Sequence, residues 1–532
     1  MMEANREQLR EFAPQTVNPR RQEYMSQSSS HPIADDASPL GAAAGISRLR
    51  RFLLIAFCVA ILLWTAAIPF SRAFLRMQVN YNEGWNVYNA QRVAEHQPLY
   101  PSAYGWTSVN YPALSFHLVA AVSRSASNFL FTGRLLSLAG LCLSALFAGL
   151  IVLLATRSKF AAGLSGLFLV AVFCATANNY VGMDDPQILA QAFFMAGLYF
   201  YLRGDRRGWA LELTALLFVL GGNIKHNPIE FPLAVLLDLL LTSPRRALRF
   251  AVGGGLMAAL SVFLTSRIDG SAYLSCLLVS RGYSLPHIAT NLSVSLLPLL
   301  LPFAAAVWTA RWCWKNPSRR VLALLLYCAL PVNACFSGGK GVMINGIFGS
   351  MLAAVLLTGV FWTEYSRLPW RFIRVMPQAL LCALFFLWLA IPMITTHKAP
   401  TVRVLRMDRA SERRFTAEVD FLQQQPGPAL CESLLLCYYA GKPYLYDPFN
   451  ATRFIEQGRL DASEMVARLR NHEFAAVQMD GSVERKLSAR RPDGHFAPPI
   501  LRAIQQYYRP GFQSENEIIY LPNQLESQLP PR

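Results

Sequence analysis

The sequence predicts an all-α polytopic membrane protein of about eleven transmembrane helices, followed by a small α/β domain outside the bilayer. Three observations predict it. Only 15% of the 532 residues are charged while 53% are hydrophobic; an average soluble chain is roughly a quarter charged. Apolar runs of span length recur between residues 52 and 395. The basic residues between those runs alternate between dense and sparse sets. The net charge of +17 belongs to the apolar part: residues 1–396 hold 31 Lys/Arg against 16 Asp/Glu, and residues 397–532 hold 18 against 16. An excess placed this way marks loops between spans, so no nucleic-acid partner is expected. High hydrophobicity also excludes a largely disordered chain.

Residues 1–47 are rich in Ser, Ala, Gln and Pro with no apolar period, and read as a disordered cytoplasmic tail. No cleavable signal peptide is evident, so the first span acts as the anchor. Spans are expected near 52–70, 135–155, 160–178, 187–202, 209–224, 228–243, 250–266, 288–310, 321–336, 346–363 and 376–395. Alternation puts 18 basic residues, in clusters such as Arg203/Arg206/Arg207 and Arg245/Arg246/Arg249, on one side. Nine scattered ones, among them Arg134, Lys225, Arg281 and Lys340, lie on the other. By the positive-inside rule the first side is cytoplasmic. The membrane module is then 48–396, with a long first exterior loop at 71–134, and residues 397–532 lie outside.

In 397–532, Tyr444–Tyr446, Ala475–Met479 and Ile518–Leu521 read as short strands, and Phe415–Gln424, Ala462–Asn471 and Pro499–Tyr507 as helices. Cys431 and Cys437 are spaced for neither one helix face nor adjacent strand positions, which argues against a disulfide. The other eight cysteines lie in or near spans as small packing residues. No Cys/His group has metal-site spacing. Asn450-Ala451-Thr452 matches a glycosylation sequon.

Polar residues of chemical interest collect on the exterior side. The first loop carries Asn82-Glu83-Gly84-Trp85, then Tyr88, Tyr100 and Tyr111, with short helices expected at 85–95 and 111–122. The second holds Asp184-Asp185-Pro186; Asp185 can cap the next span, with Pro186 at its first position. The third holds Lys225-His226, a costly pair between short spans unless it snorkels to the surface or holds an anion. The fourth contains Arg281. In the fifth, Gly338, Gly339 and Gly341 flank Lys340, ahead of Asn345; that run is either a plain turn or a backbone cradle for an anion. Carboxylates and cations at the ends of different spans fit a surface active site on a lipid-borne substrate. A transporter would more often place its site near the midplane.

The first loop resembles that of GT-C fold membrane glycosyltransferases, such as the protein O-mannosyltransferases and the aminoarabinose transferases of lipid A (glycosyltransferase family 39-like). The resemblance rests on Asn82-Glu83-Gly84, Tyr88…Ala90, Pro98-Leu99-Tyr100 and Tyr111-Pro112-Ala113-Leu114. Asp185-Pro186 followed by Gly197-Leu198-Tyr199, the Lys225 loop and Gly341…Asn345 add to it, over roughly residues 50–395. The chain departs from the family at Asn82, where relatives often carry Asp, at His96 for a usual Gly, and at Ala113 for a usual Pro. The resemblance implies a polyprenyl-phosphate-linked sugar donor and a glycan, lipid or protein acceptor. It also implies an inner-membrane location with a periplasmic active site, serving envelope glycan or glycolipid assembly. Glu83 is then the expected general base, and Asp185, with Asp184 as second choice, orients the acceptor or shares that role. Lys225, His226, Arg281 and Lys340 are expected on the lipid phosphate, and Asn82, Tyr88, Tyr111 and Asn345 elsewhere around the substrates. Inversion at the anomeric carbon is expected because no second nucleophile is evident. No cofactor is implied, although paired carboxylates can recruit a divalent metal. A lipid-linked-sugar flippase and a non-catalytic polysaccharide-assembly subunit are the competing classes.

Overall fold

The computed structural model describes residues 39–126, 128–204, 208–279, 282–395, 400–488, 495–515 and 517–523. Arg281 and residues 1–38 of the expected tail lie outside the described residues. The chain divides into a short unit, Met1–Phe52, and a main unit, Leu53–Arg532. Helix α1 (Pro39–Arg72) begins in the first, upstream of the expected boundary at residue 47, where Ala42–Ala44 favour helix.

Two short helices of the first loop come next, α2 (Asn82–Ala94) and α3 (Leu114–Ala126). The helical bundle continues with α4 (Phe129–Thr156), α5 (Lys159–Thr176), α6 (Pro186–Arg203), α7 (Trp209–Ile224), α8 (Glu230–Leu240) and α9 (Pro244–Ile268). It is completed by α10 (Tyr273–Leu277), α11 (Leu285–Trp314), α12 (Arg320–Phe336), α13 (Phe348–Glu364), α14 (Arg371–Arg374) and α15 (Gln378–Thr395). Each of the eleven expected apolar segments is helical. Among the described residues, five helices are long and apolar enough to cross a membrane, or six if the two bent halves of α11 form one span. Pro298 and Pro302 lie inside α11, and each removes a backbone donor and crowds the preceding turn. Helices α7, α12 and α15 are apolar but shorter. On α9, Leu248, Leu256, Phe263 and Ile268 are all more than half exposed. In water such a continuous apolar face is a liability; in lipid it is the expected surface. The chain is a multi-pass membrane protein.

The last part of the chain opens with the long helix α16 (Val402–Gln423) and contains a four-stranded sheet. Strands β1 (Ala429–Cys431), β2 (Ala476–Asp480), β3 (Tyr508–Gln513) and β4 (Glu517–Pro522) run in the order β1-β2-β4-β3. β1 and β2 are parallel, and β4 is antiparallel to both β2 and β3. Between them lie α17 (Leu434–Tyr439), α18 (Pro448–Glu456), α19 (Ser463–Arg470), α20 (Val483–Ser488) and α21 (Pro498–Tyr507). Strands at Ala475–Met479 and Ile518–Leu521 were legible, as were all three expected helices. Tyr444–Tyr446 is not a strand. Pro443 and Pro448 bracket it without N–H donors, and the following Asp447 N–H donates to the Trp106 carbonyl instead.

Cys431 and Cys437 form a disulfide, contrary to the spacing argument. Within a single element such spacing keeps the two side chains apart; here the chain turns from the end of β1 into α17, which brings the two Cα atoms to 5.9 Å. The first loop and this C-terminal part share one apolar core: Trp85, Tyr88, Tyr100 and Phe116 pack with Phe415, Leu434 and Leu435. Gly84 marks the closest approach, since a Cβ there would lie 2.2 Å from the Leu435 backbone nitrogen. Polar contacts reinforce the seam. The Trp85 indole donates to Asp447 at 2.9 Å, and the Asn110 amide donates to Asn450 at 3.1 Å. Asn450 is buried and so occupied, which takes the sequon asparagine off the surface.

Candidate active site

The site is built in two adjoining parts, one of carboxylates and one of cations. Glu83 sits in the first turn of α2 with its carboxylate fully buried. Its Oε1 accepts from Arg134 Nε at 2.7 Å and from the Asp184 N–H at 2.9 Å. Its Oε2 accepts from Arg134 Nη2 at 2.7 Å and from the Val79 N–H at 2.6 Å. Arg134, on α4, spends its remaining donors on the carbonyls of Arg72, Leu75 and Met77. One ion pair therefore ties together the end of α1, the start of the first loop, α2, α4 and the Asp184 loop. Arg134 is a site residue whose part was not read from the sequence; the available signal was a charge within an otherwise apolar helix.

Asp184 is held by its backbone, its N–H on Glu83 and its carbonyl on the Asn86 amide. Its carboxyl lies against Gly133, where a Cβ would fall 2.0 Å from Oδ1. Burial, reinforced by the nearby Glu83 charge, raises its pKa well above the usual carboxylate range, although Arg134 opposes the shift. Asp185 caps α6: Oδ1 accepts from the Gln187 N–H at 2.9 Å, with Pro186 at the first helical position. The other oxygen of each aspartate, Oδ2, is buried without a hydrogen-bond partner. Both residues line a narrow void of about 20 Å³ with Asn86, Ser115 and Ser137.

The cations gather in a cavity of about 630 Å³. Tyr111, Lys225, His226, Lys340 and Asn345, all expected site residues, line it together. Ile229, Leu277, Pro331, Val332 and Phe336 supply apolar wall. Lys225 is buried, with Nζ 3.1 Å from the centroid of the Tyr111 ring; a cation so placed is held by the ring's negative face. Lys340 is presented on a turn whose N–H donates to Gly282, next to a bridge between Tyr283 and Gly339. The N–H groups of Gly338, Gly339 and Val342 bond to carbonyls within the segment itself, so the glycine run behaves as a turn.

Asn345 joins the two parts. Its side-chain amide donates to Gln187 Oε1 at 3.0 Å, and its carbonyl accepts from Gln187 Nε2 at 2.6 Å. Gln187 follows Asp185 by two residues. Adjoining the cavity at Asn227, Phe336 and Asn345, a smaller polar void is lined by Gln187, Gln191, Glu230, Asn333 and Asn345. Glu230 and Asn333 are buried; they too were not read from the sequence as site residues. Tyr88 stands apart. It stacks on Tyr444 with ring centroids 5.0 Å apart and donates to the Lys442 carbonyl, serving the seam with the C-terminal part. Asn82 opens α2 and lines neither part. Among the described residues, no group of three or more His, Cys, Asp or Glu side chains is placed to hold a metal ion.

The same arrangement of helices is found in solved membrane glycosyltransferase structures. ArnT from Cupriavidus metallidurans in the apo state superposes with a TM-score of 0.54 at 15% identity, over 90% of this chain and 98% of that one. The same protein bound to undecaprenyl phosphate gives 0.53 at 13% identity, over 91% and 98%. The archaeal oligosaccharyltransferase AglB from Archaeoglobus fulgidus, in complex with an inhibitory peptide and a dolichol-phosphate, gives 0.53 at 11% identity, over 90% and 75%. The chain has the GT-C fold. No family model matches the sequence, and no curated protein matches it. The fold expected from the first-loop motifs is thus the one observed, at identities that carry the architecture alone. In this GT-C chain Glu83–Arg134 pins the first loop to α1 and α4, and the same loop supplies Asn110 and Tyr111 to the cationic cavity.

Proposed function

We propose that this chain is a glycosyltransferase that moves a sugar from a polyprenyl-phosphate donor to an acceptor hydroxyl. The reaction takes place at the outer face of the inner membrane, in envelope glycan or glycolipid assembly. The observation that carries this reading is the cavity, which Lys225, His226 and Lys340 line together with apolar side chains. Lysines suit a phosphate, and the apolar wall suits the first units of a lipid chain. Arg281, next in sequence to the lining residue Gly282, is assigned to the phosphate as well. Eleven spans, an inside N-terminus and an outside C-terminus belong to the same reading; the Cys431–Cys437 disulfide supports an oxidising compartment for the C-terminal domain.

Among the carboxylates we divide the roles by what each oxygen already does. Every lone-pair direction of Glu83 is engaged by Arg134 and two backbone N–H groups, so we assign it to holding the site together. Asp185 retains an oxygen without a partner and is coupled to the cavity through Gln187 and Asn345; we assign it the acceptor proton. Buried Asp184, its pKa raised, suits a neutral hydrogen-bond donor at its side. As the acceptor oxygen attacks the anomeric carbon, the sugar–phosphate bond breaks and the cations take up the phosphate charge. One displacement of this kind inverts the anomeric centre.

The test is transfer from polyprenyl-phosphate sugars in reconstituted membranes, together with binding of undecaprenyl phosphate itself. Asp185→Asn is expected to lower kcat with lipid binding intact, and Lys225→Ala to weaken lipid binding. Unchanged binding of undecaprenyl phosphate by Lys225→Ala/Lys340→Ala would falsify the cavity assignment.

A further inference from the structure

Helix α16 carries a second cationic site, away from the cavity. Arg403, Arg406, Arg409 and Arg413 lie along its first turns, all exposed. Among the described residues none of the four has an ion-pair or hydrogen-bond partner for its side chain. The acidic residues on the same stretch are already used. Asp408 is gripped by Arg72 through two hydrogen bonds, of 3.0 and 3.1 Å, and Glu412 accepts the Arg76 N–H at 2.6 Å. Arg72 balances Asp408, which leaves Glu412 as the one carboxylate of this stretch set against four arginines, so the cluster keeps a net positive charge. Arg72 is the last residue of α1, whose Arg48–Arg72 stretch qualifies as a membrane span, so the cluster stands where that span leaves the apolar layer.

The surface is also a pocket. Arg406, Arg409 and Arg413 line a cleft of about 490 Å³ together with Ser71, Leu75, Leu405 and Asp408, whose charge Arg72 balances. Exposed apolar side chains adjoin the lining residues in sequence: Phe74, before Leu75, is 63% exposed and Met407, after Arg406, is 57% exposed. Three arginines in one cleft with Leu75 and Leu405, at the end of a span, match a headgroup phosphate with its acyl chain lying along the helix. A nucleic acid or an acidic peptide would leave the apolar border unmatched.

We propose that this cleft between the end of α1 and the start of α16 binds an anionic phospholipid of the surrounding leaflet, its phosphate held by Arg406, Arg409 and Arg413. The assignment is independent of any sugar transfer. Charge of this kind is read through a high-dielectric surface, so binding weakens as salt rises.

The test is the affinity of the full-length detergent-solubilised protein for phosphatidylglycerol and for phosphatidylcholine, followed by native mass spectrometry. Phosphatidylglycerol is expected to bind preferentially. Losing one arginine should weaken it roughly fivefold, and Arg406→Gln/Arg409→Gln/Arg413→Gln on the order of a hundredfold. The corresponding triple Lys variant is expected to keep most of the affinity. If the triple Gln variant does not fold, the single Arg409→Gln substitution carries the decision, its fivefold loss supporting the site and unchanged binding refuting it. Equal binding of the two lipids, wild-type affinity in the triple Gln variant, or displacement by equimolar inorganic phosphate would each overturn the proposal.

Discussion

Glu83 and Arg134 meet side-on inside the protein, joined by two hydrogen bonds of 2.7 Å with neither side chain in contact with solvent. All five guanidinium N–H groups are used, three of them on carbonyls of the chain that leaves α1. Removing one partner strands the other as a buried charge, at a cost of about 3–5 kcal/mol. Glu83→Gln and Arg134→Met are each expected to lower the thermal unfolding midpoint sharply, and the double variant by less than the two losses combined. A Glu83→Gln protein that unfolds like wild type yet has lost transfer would place Glu83 in the chemistry itself.

Lys225 should act on donor binding. A charge-assisted hydrogen bond to phosphate contributes about 1.5–3 kcal/mol, so Lys225→Ala is expected to raise the donor KM by roughly ten- to a hundredfold. Lys225→Arg should recover part of that, limited by the close packing on Tyr111. Steady-state kinetics on reconstituted protein separate the two parameters, and a loss confined to kcat would speak against the phosphate role.

Gly84 sets the distance between the first loop and the 397–532 region. A methyl group added there meets the Leu434–Leu435 backbone at 2.2–2.6 Å, and backbone cannot rotate away as a side chain can. Gly84→Ala is therefore expected to destabilise by about 1–3 kcal/mol through overpacking, despite the better helix propensity of Ala. Limited proteolysis should show the 397–532 region cleaved faster in the variant. Wild-type resistance would mean that the seam relaxes without loss.

Most of the architecture was legible because its signals are local. Every apolar run became a helix, since a run of apolar residues in lipid has to satisfy its backbone internally. Lys225, His226, Lys340 and Asn345 were each visible as polar residues in short loops, and the fold gathers them in one cavity. The Glu83–Arg134 pair was not visible, because its partners lie 51 residues apart on separate helices. The disulfide was missed for a related reason: a six-residue separation has no fixed geometry when a strand gives way to a helix between the two cysteines. Asn333 was hidden among apolar neighbours and Gln187 was overshadowed by the two aspartates just before it; the use of each depends on which helix faces which.

Glu517 offers a pH test within the sheet domain. It lies opposite Asp480 on the neighbouring strand, near Glu418 and Glu432, and its carboxylate accepts from the Gln478 amide. Burial first, and then these like charges, push its pKa from 4.5 to about 9. The folded state thus keeps a proton that the unfolded chain releases. The resulting stabilisation is fully present below the unfolded value of 4.5 and is lost as pH rises toward about 9. Glu517→Gln mimics the protonated form at every pH. Hydrogen exchange of the β2 and β4 amides should therefore speed up from pH 5 to pH 9 in wild type beyond the intrinsic base-catalysed trend, and the excess should vanish in Glu517→Gln. The variant should also be the more stable protein at the alkaline end, by a margin that shrinks as pH falls; equal pH dependence in the two proteins would mean that Glu517 is ionised in the folded state at neutral pH.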